Sequence, residues 1–181
     1  MSDHRFERTD NEIKHVFLNV LKETSFDKMT ITELADACMI ERTTFYDHFS
    51  NLYEVAKAII DDILMVVEGY LTENGRKKNA EISTNFHQLL SQRIVSYFNV
   101  HREVVEEIRL IPLGINGFDV RFRNLVKKHF SQMVSIPEDS FINYLMVNLA
   151  MSDVDYVLDN GYAPTLADLR KGLNMMLSML D

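Results

Sequence analysis

The chain is poor in residues that bend or staple a backbone. Of 181 residues, 6 are glycine, 3 are proline and one is cysteine. Few chain-breakers over this length favour long helices over many short strands. The single thiol, Cys38, excludes a disulfide within the chain and suits a reducing compartment. No run approaches the roughly 20 apolar residues of a membrane span. The opening Met1-Ser2-Asp3-His4-Arg5 lacks the basic-then-apolar form of a signal peptide. The expectation is a cytoplasmic protein with no membrane partner. Positive charge is also short, with a net charge of −8. There is no Gly-rich phosphate loop and no dinucleotide fingerprint. The histidines His4, His15, His48, His87, His101 and His129 form no His-x-x-x-His pair with an acidic helper, so no metal site is expected. No paired carboxylates stand out either: Asp153, Asp155 and Asp159 read as surface charge. No catalytic residue and no cofactor is expected, and nothing favours an enzyme.

What the chain does have is apolar material in helical order. Hydrophobic residues make up 46% of it, enough for a sizeable core. The ten methionines fill irregular apolar gaps or line a tolerant pocket, core packing being the commoner use. Ile13, Val16, Phe17, Val20 and Leu21 share one face of a helix over 10–24, with Thr9 or Asp10 as its cap. Thr30-Ile31-Thr32-Glu33 fits a capping box. It opens a short helix whose face carries Ile31, Leu34, Ala35 and Cys38. After Met39-Ile40-Glu41 comes a third short helix with Phe45 and Phe49 on one stripe. Asn51 caps a fourth, from about 52 to 73, with Val55, Ile59, Ile63, Val66 and Tyr70 inward. Residues 74–79 read as a polar loop. Further helices are expected over 82–100, 102–110, 118–134, from Pro137 in a first turn to about 159, and from the Thr165–Asp168 capping box to about 180. Gly161 sits where a C-terminal cap belongs. The stretch Phe141 to Met151 is apolar on nearly every side and needs cover from two directions. Leu166, Leu169, Leu173, Met176, Leu177 and Leu180 form a near-heptad stripe, which can pack within the chain or across a partner. The fold class is therefore all-α: a three-helix N-terminal module over 1–51 and a helical bundle over 52–181, about nine helices in all.

Three short helices with tight connections fit a helix-turn-helix module. From Leu34 the sequence reads Leu-Ala-Asp-Ala-Cys-Met-Ile-Glu-Arg-Thr-Thr-Phe-Tyr-Asp-His-Phe. This resembles the TetR/AcrR family of regulators. Their usual form is Ile-Ala-x-x-Ala-Gly-Val-Ser-x-Gly-Thr-Phe/Leu-Tyr-x-His-Phe, followed by a Lys near the start of the fourth helix. The resemblance spans residues 10–58. Phe45 and Phe49, one turn apart, anchor the third helix and turn Arg42, Thr43, Thr44, Tyr46 and His48 to the outside or flank. In a major groove Arg42 can donate to guanine, and Thr43 and Thr44 can hydrogen-bond or touch a thymine methyl. The resemblance implies that Tyr46 and His48 lean towards phosphates and that Thr32 donates from the second helix. Asn51 and the helix it caps offer further donors. Local roles stay open beside these: Tyr46 as a seal on the module's edge, His48 as a cap, Thr43 and Thr44 as filling for a first turn.

The sequence departs from the family form at four places. Met39 replaces a Gly, which predicts a turn without its easy positive-φ residue. Glu41 replaces a Ser cap, Thr43 a small Gly, and Leu52 the Lys. Residues 1–50 hold six basic groups and ten acidic ones, a net of −4. Since Lys and Arg supply most phosphate affinity, direct binding to double-stranded DNA is expected to be weak and salt-sensitive. The run Phe49-Ser50-Asn51-Leu52-Tyr53-Glu54 is similar to a branch resembling the dihydroxyacetone-kinase activator, whose members can work through a protein partner. The resemblance implies a ligand-responsive repressor, homodimeric through its last two helices, with an unidentified small-molecule effector. The alternative is a coactivator or interaction protein of the same fold with weak DNA binding of its own. Tyr97, Phe98, His101, Phe122 and Met146 are the candidate pocket residues, with ordinary core packing as the other reading of each.

Overall fold

Nine α-helices and one 3-10 turn make up the described residues, with no strand among them. The structure, a computed structural model, describes residues 4–76, 92–162 and 164–179. The expected helix over 82–100 is therefore seen only from residue 92, and Lys77, Lys78, Asn79 and His87 lie outside the described residues. The helices are α1 (His4–Glu23), α2 (Ile31–Ala37), α3 (Arg42–His48), α4 (Leu52–Arg76), α5 (Gln92–Val100), α6 (Arg102–Leu110), α7 (Phe118–Val134), α8 (Phe141–Asn160) and α9 (Leu166–Ser178). The 3-10 turn, Gly114–Asn116, falls in the stretch where Pro112, Gly114 and Gly117 break the chain.

The chain divides into two compact units. The first is Met1–Met65 with Glu103–Arg121, and the second is Val66–Arg102 with Phe122–Asp181. In the first unit α1, α2 and α3 touch one another pairwise. Ile13, Phe17, Leu34, Ala35 and Phe45 are fully buried there. Each large apolar side chain withdrawn from water contributes about 1.5–3 kcal/mol. Ion pairs tie the remaining helices on. Lys14 Nζ reaches Asp62 of α4 at 2.6 Å, Lys22 Nζ reaches Glu103 of α6 at 2.6 Å, and Arg121 pairs with Asp61. Arg109 and Asp119 close α6 onto α7 at 2.7 Å.

In the second unit α5 packs on α8, and Phe98 meets Phe122 edge-on at 5.9 Å. Asn143 is fully buried. Its Nδ2 donates to Lys127 O and Glu138 O, both at 3.1 Å, which clamps the segment before α8 to the middle of α7.

Several local expectations hold. Both capping boxes, Thr30–Glu33 and Thr165–Asp168, are closed in both directions. Asn51 Oδ1 accepts from Glu54 N at 3.0 Å. Gly161 ends α8 at φ +77°.

Others need correction. Helix α1 starts at His4, so Thr9 and Asp10 lie inside it. The Thr9 hydroxyl donates to Arg5 O, and the Asp10 carboxylate is engaged by His48. The extra turns pay their way by docking Phe6, which stacks on the His48 ring at 4.0 Å. Helix α4 runs on through Asn74-Gly75-Arg76, where a loop was expected. On α4, Val66 and Tyr70 are only half-buried, while Val67 and Leu71 are buried in their place. A straight helix drifts about 20° per heptad against a fixed repeat, so the inward stripe steps over by one residue. Helix α8 starts at Phe141 behind the Ser140 cap. Pro137 stays in the preceding turn, its carbonyl accepting from Ser140 N at 3.1 Å.

Candidate nucleic-acid interface

The turn between α2 and α3 sets the angle at which α3 is presented. Cys38 N–H donates to Leu34 O, Met39 N–H to Asp36 O and Ile40 N–H to Ala35 O. The last two form the Schellman arrangement that ends many helices and needs a left-handed residue between them. That residue is Met39, at φ +54° and 92% exposed. The turn thus keeps its left-handed backbone without the glycine, and bears the strain on an unsupported side chain.

From this turn α3 leaves with Phe45 fully buried and Phe49 nearly so, their rings 6.2 Å apart. The opposite face is open. Arg42, Thr43, Tyr46 and Asp47 are exposed and Thr44 is half-buried. Tyr46 lies edge-on to Phe45 at 5.7 Å, and its hydroxyl accepts from Arg42 Nη2 at 3.5 Å. One exposed surface therefore holds a guanidinium, a phenol and a hydroxyl, the groups that meet base edges and phosphates. Thr32 on α2 and Asn51 before α4 are also exposed, and Asn51 has its side-chain oxygen committed to the helix cap.

His48 is placed differently from the other candidates. Its side chain is only 6% exposed, and Nδ1 donates to Asp10 Oδ1 at 2.5 Å beneath the stacked Phe6 ring. It works as a fastener between α1 and α3. Phe6 and Asp10 were not read as its partners from sequence. The signal was there: residues 6, 10, 13 and 17 continue a single helical stripe.

Carboxylates are also open to solvent on this module: Asp36 of α2, Glu41 before α3 and Asp47 of α3 are exposed. Glu41 is the N-cap residue of α3, at φ −73° and ψ 151°, yet its side chain makes no capping hydrogen bond. Its Oε2 accepts instead from the Thr43 hydroxyl at 3.3 Å. Behind the face, Cys38 is buried in the core, and burial pushes its thiol up to about 11.

The five pocket candidates separate. Tyr97 and His101, stacked at 4.2 Å, line an open depression of about 610 Å³ with Tyr70, Arg93, Ser96 and Val100. Phe98 and Phe122 are core residues, and Met146 is half-buried on α8 away from that depression.

No family model and no curated protein matches the chain. Among solved structures, a Mesorhizobium loti protein provisionally assigned as a TetR-family transcriptional regulator is similar to it, with a TM-score of 0.59 over 90% of this chain and 89% of that one, at 16% identity. The chain shares its all-helical fold with that protein, and α2, the Met39 turn and α3 form a helix-turn-helix within it.

Proposed function

We propose that the protein is a DNA-binding transcription regulator, a ligand-responsive repressor that acts as a homodimer. The observation that carries the reading is the outward Arg42–Tyr46 face of α3, held rigid from behind by Phe45 and Phe49. A helix so mounted fits the major groove, where Arg42 donates to guanine and Thr43 and Thr44 take neighbouring contacts. Tyr46, Thr32 and Asn51, all exposed, are the groups assigned to phosphates in this reading. His48 contributes by locking α3 to α1.

Dimerisation is supported by the last two helices. In the single chain α8 leaves Phe141, Ile142, Tyr144 and Leu145 exposed, and α9 leaves Met175, Met176 and Leu177 exposed. Exposed apolar side chains concentrated on two helices support an association site there. A homodimeric regulator of this kind reads two half-sites in successive major grooves, about 34 Å apart. An effector that favours one spacing of the heads shifts the balance between bound and free DNA.

The test is a gel-shift at low salt with the DNA upstream of the protein's own gene. Retardation that Arg42→Ala weakens by roughly tenfold or more supports direct binding. No retardation, with or without candidate effectors, overturns it. The exposed carboxylates Asp36, Glu41 and Asp47 on the module that carries Arg42 favour a second reading, a coactivator that engages DNA only with a protein partner. Retardation that appears only on adding a co-purifying protein decides for that one.

A further inference from the structure

We propose that a cleft within the first unit, walled by the end of α1, the loop after it, the start of α4 and the end of α6, binds a small organic cation: an ammonium group carried on an aryl or branched apolar body. No residue of α3 lines the cleft. The inference therefore stands whether or not α3 meets DNA.

The first observation is the space and its walls. The cleft measures about 290 Å³. Pockets for drug-sized ligands run from about 300 to 1,000 Å³, so the occupant is small. Leu21 of α1 and Ile111 after α6 are buried at its back, while Leu110 stands at it 78% exposed. A leucine so placed finds no cover in its own chain. Phe26 and Tyr53 line the cleft together, their rings edge-on at 4.9 Å. Tyr53 is itself exposed. A cation within about 6 Å of such a ring's centre is drawn to its face.

The second observation is the charge. Asp27 and Glu107 line the cleft, and no basic side chain does. Glu107 is half-buried, and among the described residues it has no hydrogen bond and no ion pair. Other charges of α6 are matched: Glu103 by Lys22, and Arg109 by Asp119. Hydrogen bonding with Ser25 holds the Asp27 carboxyl below its ordinary range, so it too stays ionised near neutral pH. A carboxylate partly withdrawn from water without a partner carries a desolvation cost that nothing offsets. An ammonium group in the cleft supplies the missing charge, and the rings and Leu110 cover its apolar body. An anion would meet two carboxylates there. A neutral molecule would bury Glu107 further and leave it uncompensated. Shape and charge together thus select a cation.

The experiment is isothermal titration calorimetry of the full chain with benzyltrimethylammonium, and with neutral benzyl alcohol and anionic benzoate for comparison. The cation should bind saturably, one per chain, with benzyl alcohol about tenfold weaker or more and benzoate not binding. Glu107→Gln keeps the side chain's size and breaks no contact, so the variant folds, and it should weaken the cation by about tenfold while leaving benzyl alcohol unchanged. Tyr53→Leu should weaken the cation as well. The chain's net charge of −8 attracts any cation diffusely, but the loss of one carboxylate hardly alters that attraction. Cation binding that Glu107→Gln leaves unchanged would therefore mean diffuse attraction or another site, and would overturn the inference. Equal affinity for the cation and benzyl alcohol, or no saturable binding of the cation by wild type, would overturn it too. None of these results bears on whether α3 binds DNA.

Discussion

Replacing Met39 with glycine should stabilise the protein. Met39 sits at φ +54°, the centre of the α2–α3 turn, with its side chain 92% exposed. A left-handed backbone costs a residue with a Cβ roughly 1–2 kcal/mol. Glycine escapes that cost but loses about 0.5–1 kcal/mol more backbone entropy on folding. With almost no packing to forfeit, the net gain is about 0.5–1 kcal/mol. For a chain of this size that corresponds to a rise in Tm of roughly 1–4 °C. The assay is thermal unfolding followed by far-UV circular dichroism, at one protein concentration because association shifts apparent stability. Met39→Ala is the control. It keeps the Cβ and the strain, and should leave Tm unchanged. Met39→Val, with a branched Cβ, should lower it. If alanine raised Tm as much as glycine, the gain would come from losing an exposed methionine and the strain argument would be wrong. A fall in Tm with glycine would refute it outright. DNA affinity, where present, should stay the same in all three, because the Schellman bonds fix the same α2–α3 angle.

Three further outcomes are expected. Leu177 is 62% exposed in the single chain, so Leu177→Glu should cost the monomer little while placing a charge in any α9-mediated interface. Sedimentation equilibrium should show wild type as a dimer and the variant as a monomer, and a monomeric wild type would remove the dimer proposal. His48→Ala deletes the hydrogen bond to Asp10 and the stacked ring under Phe6, and should cost about 1–3 kcal/mol in urea unfolding; an unmoved midpoint would mean that the α1–α3 fastener is ornamental. Burial raises the Cys38 thiol to about 11, so its thiolate is scarce near neutral pH. Alkylation of the folded protein should be slow there and accelerate towards pH 11, and a native rate equal to that of the urea-unfolded chain would contradict the buried placement.

What could be read from the sequence was local. The capping boxes at Thr30–Glu33 and Thr165–Asp168, the Asn51 cap and the Gly161 terminator each involve residues within about one helical turn, whose geometry is set by the helix itself. The spacing of Phe45 and Phe49 settles which face of α3 is buried, and so which face is left for Arg42 and Tyr46. Contacts between distant segments were not legible. His48 looked like an outward group until Phe6 and Asp10 arrived from α1 to enclose it. Tyr97 and Phe98 are neighbours in the chain, and only the packing around α5 sends Phe98 into the core and leaves Tyr97 at the open depression. The stripe Leu173, Met176 and Leu177 has the same spacing whether a helix covers it from its own chain or from a copy, and the structure leaves it bare in the single chain. Periodicity specifies which side of a helix seeks cover. What supplies the cover depends on the other helices, and that was decided by the tertiary structure alone.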